Sequence, residues 1–437
     1  MLSCYGYDRP TTPNLDRLLD SGVRFSQAIT GGSWTQAAFP VLLTSSYASA
    51  YGGCLGPLAQ ERPSPIEALA RHDYATGGFS TSPLLSETYG YHRGFNHFVD
   101  LVPTESDPPL RRIKGGQRLL WSPTTHYLSG MFGKRMRPAR LYRTASEVTD
   151  SICGWLNNTD TPFFVWGHYM DIHWPYHRED MLVHPKDIAQ AWRDLAHLHD
   201  VNWREASVTE AQRDRYVGLY ERALQYTDAE IGRLLNHLDS LGHNSNTIVI
   251  VTSDHGEEFL EHGRWGHWEN NLYDEILKVP MIIHLPRQSG ERVIHEQVRT
   301  LDIMPTILAL CDCPAPAGIE GTSLVPLWTG SGAKHESEQV ISEMWRASWH
   351  IMAVRTECFK YIWDNREPDR LQLFDLQTDP AEQHNLWKQF PTQVKQFQTR
   401  VEEHLNRAAE TKPASPTQEP ELDEEVVSRL RALGYME

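Results

Sequence analysis

NTIVIVTSDHGEEFLEHGRWGH, residues 246–267, is the stretch whose reading decides the fold. Ile248 to Val251 form a short apolar run, closed by polar and charged residues. That length and composition predict a strand buried on both faces. The strand would deliver Asp254 and His255 to its C-terminal end, the edge where ligands bind in open α/β sheets. A carboxylate beside an imidazole at a strand–loop junction can reach one divalent cation. Gly256 would let the backbone turn sharply, and His262 and His267 follow within reach of the same edge. A polar loop beside a helix cap has the same composition, so the motif needs partners elsewhere in the chain.

Working outward, TPFFVWGHYM (161–170) and KVPMIIHLP (278–286) read as two more buried strands, and GVRFSQAIT (22–30) as another. Helical patterns lie between them. TTPNLDRLLDSG (11–22) has Thr12 as a plausible N-cap, Pro13 at the first helical position and Gly22 as a stop. ASEVTDSICGWLNN (145–158) and the long segment from Thr209 to Gly242 carry apolar residues at helical spacing. LDIMPTILALC (301–311) is predicted helical around Pro305. Strands alternating with helices predict an α/β fold with a mixed, mostly parallel sheet sandwiched by helices.

After about Gly332 the pattern changes. HIMAVRT, CFKYIWD and LQLFDLQ are short strands with brief polar gaps, the signature of a small antiparallel sheet, and a helix near TQVKQFQTRVEEHLN follows. The expected organisation is a large domain over 1–332, a sheet-and-helix subdomain over 333–407, and a linker with a docking helix over 408–437. The stretch from about Leu110 to Arg143 reads as an insertion, either a pocket rim or a solvated basic loop.

Bulk composition narrows the classes. The chain has 437 residues, 41 Lys plus Arg against 57 Asp plus Glu, and a net charge of −16. An acidic chain without a basic stripe is a poor match for nucleic acid. No apolar run approaches the ~18 residues of a membrane span. The six cysteines lack zinc-type spacing and are too few for a disulfide framework in a chain this long.

Two further stretches could complete the site. WGHYMDIHWPY (166–176) places His168, Asp171 and His173 at the end of a buried strand, where they suit oxyanion binding or leaving-group protonation. His168 reads better as a core histidine. His173 reads better as functional, its imidazole held outward by the prolyl turn. SWTQAAFPVLLTS (33–45) puts Thr35 just before a helix-like segment, near backbone N–H groups that favour an anion. By itself Thr35 is better read as a capping threonine. Its hydroxyl becomes a credible nucleophile only if a metal lowers its pKa.

Taken in order, YGYDRPTTPNLDRLLDSGVRF, SWTQAAFPVLLTS, FFVWGHYMDIHWPY, TIVIVTSDHGEEF, GHWENNLYDEILKVPMIIHLP, LDIMPTILAL, LFDLQTDPAEQHNL and LRALGY resemble the sulfatase family of the alkaline phosphatase superfamily. The resemblance spans nearly the whole chain. It implies an alkaline phosphatase-like α/β domain with a small C-terminal antiparallel subdomain, and hydrolysis of sulfate or related esters at a divalent metal. By the same resemblance, Asp254, His255 and Thr35 would be metal ligands. Thr35, His173 and His267 would be catalytic, and His173, His267 and Asp171 would contact the substrate. The ion would be Ca2+, Mn2+, Zn2+ or Mg2+. The substrate would be a small anionic ester, such as a sulfated or phosphorylated sugar or lipid headgroup.

Two departures from the family pattern shape the expectation. The family's nucleophile is Cys or Ser within C/S-x-P-x-R, converted to formylglycine. Here Thr35 stands in that place, with Ala37 and Phe39 for the Pro and Arg, so no formylglycine is expected. A threonine nucleophile is similar to the phosphodiesterase and phosphoethanolamine-transferase branches, which brings in phosphate and phosphonate esters. The second departure is at the start. The family opens on a buried strand ending in metal-binding aspartates shortly before the Tyr-Gly pair, and here Met1 stands just before LSCYGY. The strand and its aspartates are therefore expected to be missing, the apolar neighbours exposed, and the natural start upstream. A transferase, or a non-catalytic relative that binds an anion or glycan, are the alternative functions.

Overall fold

The computed structural model describes residues 1–437 except 54–55, 102–142, 175, 179–180, 182–183, 204–205, 268–269, 287, 331–338, 347–348 and 412–437. The 110–143 insertion and the C-terminal docking helix fall almost wholly or wholly outside the described residues. In chain order, α1 (Pro13–Leu18) leads through a 3-10 turn into β1 (Gly22–Ile29), then α2 (Thr35–Thr44), α3 (Pro65–Ala70), β2 (Ala75–Ser80) and β3 (His97–Asp100). There follow α4 (Ala145–Leu156), β4 (Phe163–Gly167), α5 (Pro185–Asn202), α6 (Glu210–Ser240) and β5 (Val249–Thr252). A two-stranded hairpin, β6 (Glu258–Phe259) and β7 (Trp265–Gly266), precedes α7 (Asp274–Leu277), β8 (Lys278–His284), β9 (Arg292–Arg299), α8 (Ile303–Leu310) and α9 (Val325–Thr329). The chain closes with β10 (Val340–Trp345), β11 (His350–Arg355), β12 (Phe359–Asp364), β13 (Gln372–Asp375) and α10 (Pro391–Glu410).

Local chemistry explains the helix starts. Thr144 Oγ1 accepts from the Glu147 N–H at 3.0 Å, and the Glu147 carboxylate accepts from the Thr144 N–H at 2.7 Å. This reciprocal box starts α4, and Thr209 with Gln212 starts α6 in the same way. Thr12 occupies the N-cap of α1 but makes no cap bond. It is bonded instead to Ser3, its Oγ1 accepting from the Ser3 N–H at 3.1 Å. At the far end, α10 continues to Glu410, three residues into the stretch expected to be a linker.

The core strands form two sheets rather than one. One has the order β5-β8-β1-β9 and the other β3-β2-β4. The β2 pairings and the β1–β9 pairing are parallel, while β8 is antiparallel to both β1 and β5. The small antiparallel sheet is β10-β11-β12-β13 in sequence order, with β10 a strand the sequence pattern had not exposed. The expected burial of β4 and β5 on both faces is not what is found. Every residue of both strands is only half-buried. Each strand is paired on one side only, and the free edges of both lie on a single cavity of about 1550 Å³.

The C-terminal sheet is fastened to the core by charge as well as by apolar packing. Lys360 on β12 has no exposed surface, and its Nζ lies 2.8 Å from Asp274 and 2.7 Å from Glu382. Arg355 on β11 adds a second contact to Asp274 at 2.9 Å. Burial opposes ionisation of Asp274, yet Lys360 and Arg355 together hold its carboxyl well below the usual range. Removing the Lys360 cation would leave the buried Glu382 carboxylate without its ion-pair partner. Lys360→Met is therefore expected to cost about 3–5 kcal/mol of stability, read as a shift of the urea midpoint without a change of slope. Among the described residues, no helix is long and apolar enough to cross a membrane.

Candidate active site

β4 and β5 end on the same cavity. The Asp254 charge acts on the imidazole of His168, which directly follows β4, so the two strand ends open on the same place. Thr35, His168, His173, Asp254, His255 and Glu257 all line this cavity. Thr35 is buried and is the first residue of α2, with Trp34 as its N-cap. It is thus not the capping residue, and its hydroxyl sits at the helix end where unpaired N–H groups favour an anion.

Asp254 and His255 are 3.5 Å apart, carboxylate to Nε2. Burial works against ionisation of Asp254, but His255, His168 and His267, with the His255 N–H at 3.0 Å, hold its carboxyl below the ordinary range. His255 Nδ1 is engaged by the Gly256 carbonyl at 3.0 Å, whereas its Nε2 is buried and has no hydrogen-bond partner. A buried ring nitrogen in that state suits a ligand that brings its own positive charge. Gly256 serves by close approach rather than by a turn. Its N–H donates to Ile276 O at 2.7 Å, and a Cβ there would stand 2.1 Å from Glu275 O.

The histidines separate into two groups. His267 stacks near His255, with ring centroids 4.3 Å apart, and near His173 at 4.8 Å. It does not itself line the cavity. His173 is half-buried and lines the cavity, with its Nδ1 paired to the Trp174 carbonyl at 2.5 Å. Burial, then His267, pushes His173 down to about 3, and burial pushes His267 well below its usual value, so both rings are neutral. His168 is a core histidine, held against Thr81 and edge-on to Phe39, with its pKa lowered to about 4 chiefly by burial. Asp171 is buried but does not line the cavity. His262 points elsewhere. It stacks on Tyr273 at 3.6 Å and pairs with Glu275 at 2.8 Å.

Glu257 is the residue that the sequence reading passed over. Its Oε1 holds His267 Nδ1 at 3.0 Å and its Oε2 accepts from the Tyr176 hydroxyl at 3.0 Å. It thus ties the loop after β4 to the loop after β5. The signal was present, since Glu257 directly follows Asp-His-Gly, but only the fold shows that its carboxylate turns inward and is buried.

A family profile described as "Sulfatase" matches residues 1–313, and one described as "N-sulphoglucosamine sulphohydrolase, C-terminal" matches residues 261–411. The arylsulfatase K of Rattus norvegicus is 29% identical over 216 residues, 46% of this chain and 38% of that protein. The chain thus spans well under half the length of that curated relative. Among solved structures, one determined "in complex with its substrate D-Glucosamine-2-N, 6-O-disulfate" superposes with a TM-score of 0.69 at 19% identity, covering 95% of this chain and 96% of that one. A phosphonate monoester hydrolase of Agrobacterium radiobacter does so with a TM-score of 0.69 at 18% identity, covering 93% of each. At these identities the likeness is one of fold, and the fold is the alkaline phosphatase-like one.

Proposed function

The chain belongs to the sulfatase family, and from that premise we propose that it hydrolyses sulfuric or phosphoric and phosphonic esters, with Thr35 as an unmodified nucleophile. One observation carries this reading. The buried Thr35 hydroxyl, at the start of α2, lines the same cavity as Asp254, His255 and His173.

The family generally uses a divalent metal, and part of a site for one is present here. Asp254 and the unpartnered Nε2 of His255 would hold it, with Thr35 beside them. Among the described residues, no group of three or more His, Cys, Asp or Glu converges to hold a metal ion. The remaining positions would fall to substrate, water or groups outside those residues. Bound there, the ion would supply charge stabilisation and a lower hydroxyl pKa.

The chain's own residues account for the rest. Thr35 Oγ attacks sulfur or phosphorus in line, and the ester oxygen leaves on the opposite side. The threonine hydroxyl gives up its proton to water, and on the opposite side the leaving oxygen takes a proton from water. His173, which lines the cavity, is assigned to the leaving-group side of that exchange. His267, packed against it, supports the oxyanion side, and Glu257 fixes the His267 ring through Nδ1. Water then releases the group from Thr35. The ester is that of a small anionic molecule, and the sugar disulfate and phosphonate relatives support either class of acid.

The test is hydrolysis of 4-nitrophenyl sulfate and of a 4-nitrophenyl phosphonate monoester by the full chain with added Mn2+ or Ca2+. Turnover of either supports the reading, and turnover of neither overturns it. The role of Glu257 has a separate signature. Glu257→Gln is expected to lower kcat about 10–100-fold while KM stays nearly unchanged, because both carboxylate oxygens are taken up by His267 and Tyr176. A rise in KM alone would place Glu257 in substrate binding instead.

A further inference from the structure

The helix that begins at Thr35 is gripped on both flanks by one residue of the C-terminal sheet, Glu343 of β10. The leading flank is the turn between β1 and α2. There the Thr30 hydroxyl donates to Asp254 O, and Thr30 O accepts from the Ser342 hydroxyl at 2.6 Å. Next along, Gly31 O accepts from the Glu343 N–H at 2.9 Å. The two backbones are so close that a Cβ on Gly32 would stand 3.0 Å from Glu343 O and 2.5 Å from Ala37 Cβ. Thr35 follows three residues later.

The trailing flank returns to the same residue. α2 ends at Thr44, and the Ser49 N–H donates to Glu343 Oε1 at 2.6 Å. Oε2 lies 3.0 Å from Nε2 of His404 on α10, and that nitrogen is also 3.1 Å from the Ser49 hydroxyl. All three side chains are buried. Burial opposes ionisation of Glu343, yet His404 and Ser49 together hold its carboxyl below the ordinary range. A charged carboxylate makes the shorter and stronger kind of hydrogen bond. α2 has no side-chain cap at its start, and all of it except Gln36 is buried. A packed helix of this kind moves as a unit, so its flanks decide where its first residue stands.

We propose that Glu343 is a positioning residue for Thr35: its main chain and its carboxylate fix the two flanks of α2, and so set the Thr35 hydroxyl relative to Asp254. This role presupposes Thr35 as the nucleophile proposed above. Glu343 does not line the cavity, so it acts on the rate through geometry. A misplacement of about 1 Å at a reacting atom can cost about 10²-fold.

The experiment compares Glu343→Gln, which keeps the shape and an oxygen for Ser49, with Glu343→Ala, which keeps neither. Both are assayed well below their Tm. Expected is a fall in kcat of about 10-fold for the first and about 100-fold for the second, with KM within about twofold. A lowered Tm with kcat per folded chain unchanged would make the contact merely structural and overturn the proposal. In a Thr35→Ala background, Glu343→Gln should lower the residual rate no further, because residues that act as a unit are not additive. A further tenfold loss there would show that Glu343 does not act through Thr35, and the nucleophile would stand without this support. Full turnover by Thr35→Ala alone would instead remove the nucleophile, and the positioning role with it. Hydrogen exchange gives a readout that needs neither turnover nor a folded Glu343→Ala. In Glu343→Gln the amides of 31–35 and of Ser49 should exchange about tenfold faster or more, while those of α6 keep their protection. Unchanged exchange at both flanks overturns the proposal.

Discussion

Thr35→Ala is expected to lower turnover of 4-nitrophenyl sulfate or phosphonate by at least about 10⁴-fold, with the far-UV spectrum and Tm nearly unchanged. The size follows from the nature of the loss. Without the hydroxyl there is no covalent step, and only binding and charge stabilisation remain to speed attack by water. The intact fold follows from position. Thr35 is the first residue of α2 and not its N-cap, so truncating it removes no cap from the helix. Thr35→Ser is the informative companion, because it keeps the oxygen and drops only a methyl group, and it should retain most of the rate. Normal turnover by Thr35→Ala would remove this residue from the chemistry.

Asp254→Ala should have an effect of comparable size, with a second readout. The carboxylate is one of the two donors that converge beside the unpartnered His255 Nε2. Its loss should abolish retention of Mn2+ or Ca2+ measured by elemental analysis after gel filtration. It should also cut turnover by about 10³-fold or more, since several kcal/mol of charge stabilisation go with the ion. Asp254→Asn tests charge against shape, because the amide keeps one oxygen donor without the negative charge. Metal retained at wild-type level by Asp254→Ala would exclude that carboxylate from coordination, whatever happened to the rate.

Much of the strand layer that carries the candidate site was legible in the sequence, for physical reasons. Short apolar runs closed by charged residues are strands, and β1, β4, β5 and β8 fall where the runs fall. The same strands deliver His168 and Asp254 to one end, as an α/β sheet requires. Tertiary effects were the part that could not be read. An apolar run predicts burial on both faces, yet β4 and β5 are half-buried, because burial depends on whether the neighbouring position in the sheet is filled. A backbone carbonyl captured Nδ1 of His173, a contact no spacing rule encodes. His262 lies near His255 in sequence but was claimed by Tyr273 and Glu275. Glu257 looked like one more acid in a charged loop until the fold turned its carboxylate inward to two partners.

The segment from Asp274 to Ile276 joins the C-terminal sheet to the loop after β5. Asp274 takes Lys360 and Arg355 from the C-terminal sheet, Glu275 takes His262, and Ile276 O receives the N–H of Gly256 beside the paired Asp254 and His255. The distal sheet and the loop after β5 are therefore expected to open together. In native-state hydrogen exchange, the amides of Gly256 and of β12 should belong to one cooperative unit, protected to the same free energy and released at the same denaturant concentration. The small sheet then acts as the clasp of the reactive loop, and chains cut within it should lose the loop's geometry before they lose the core.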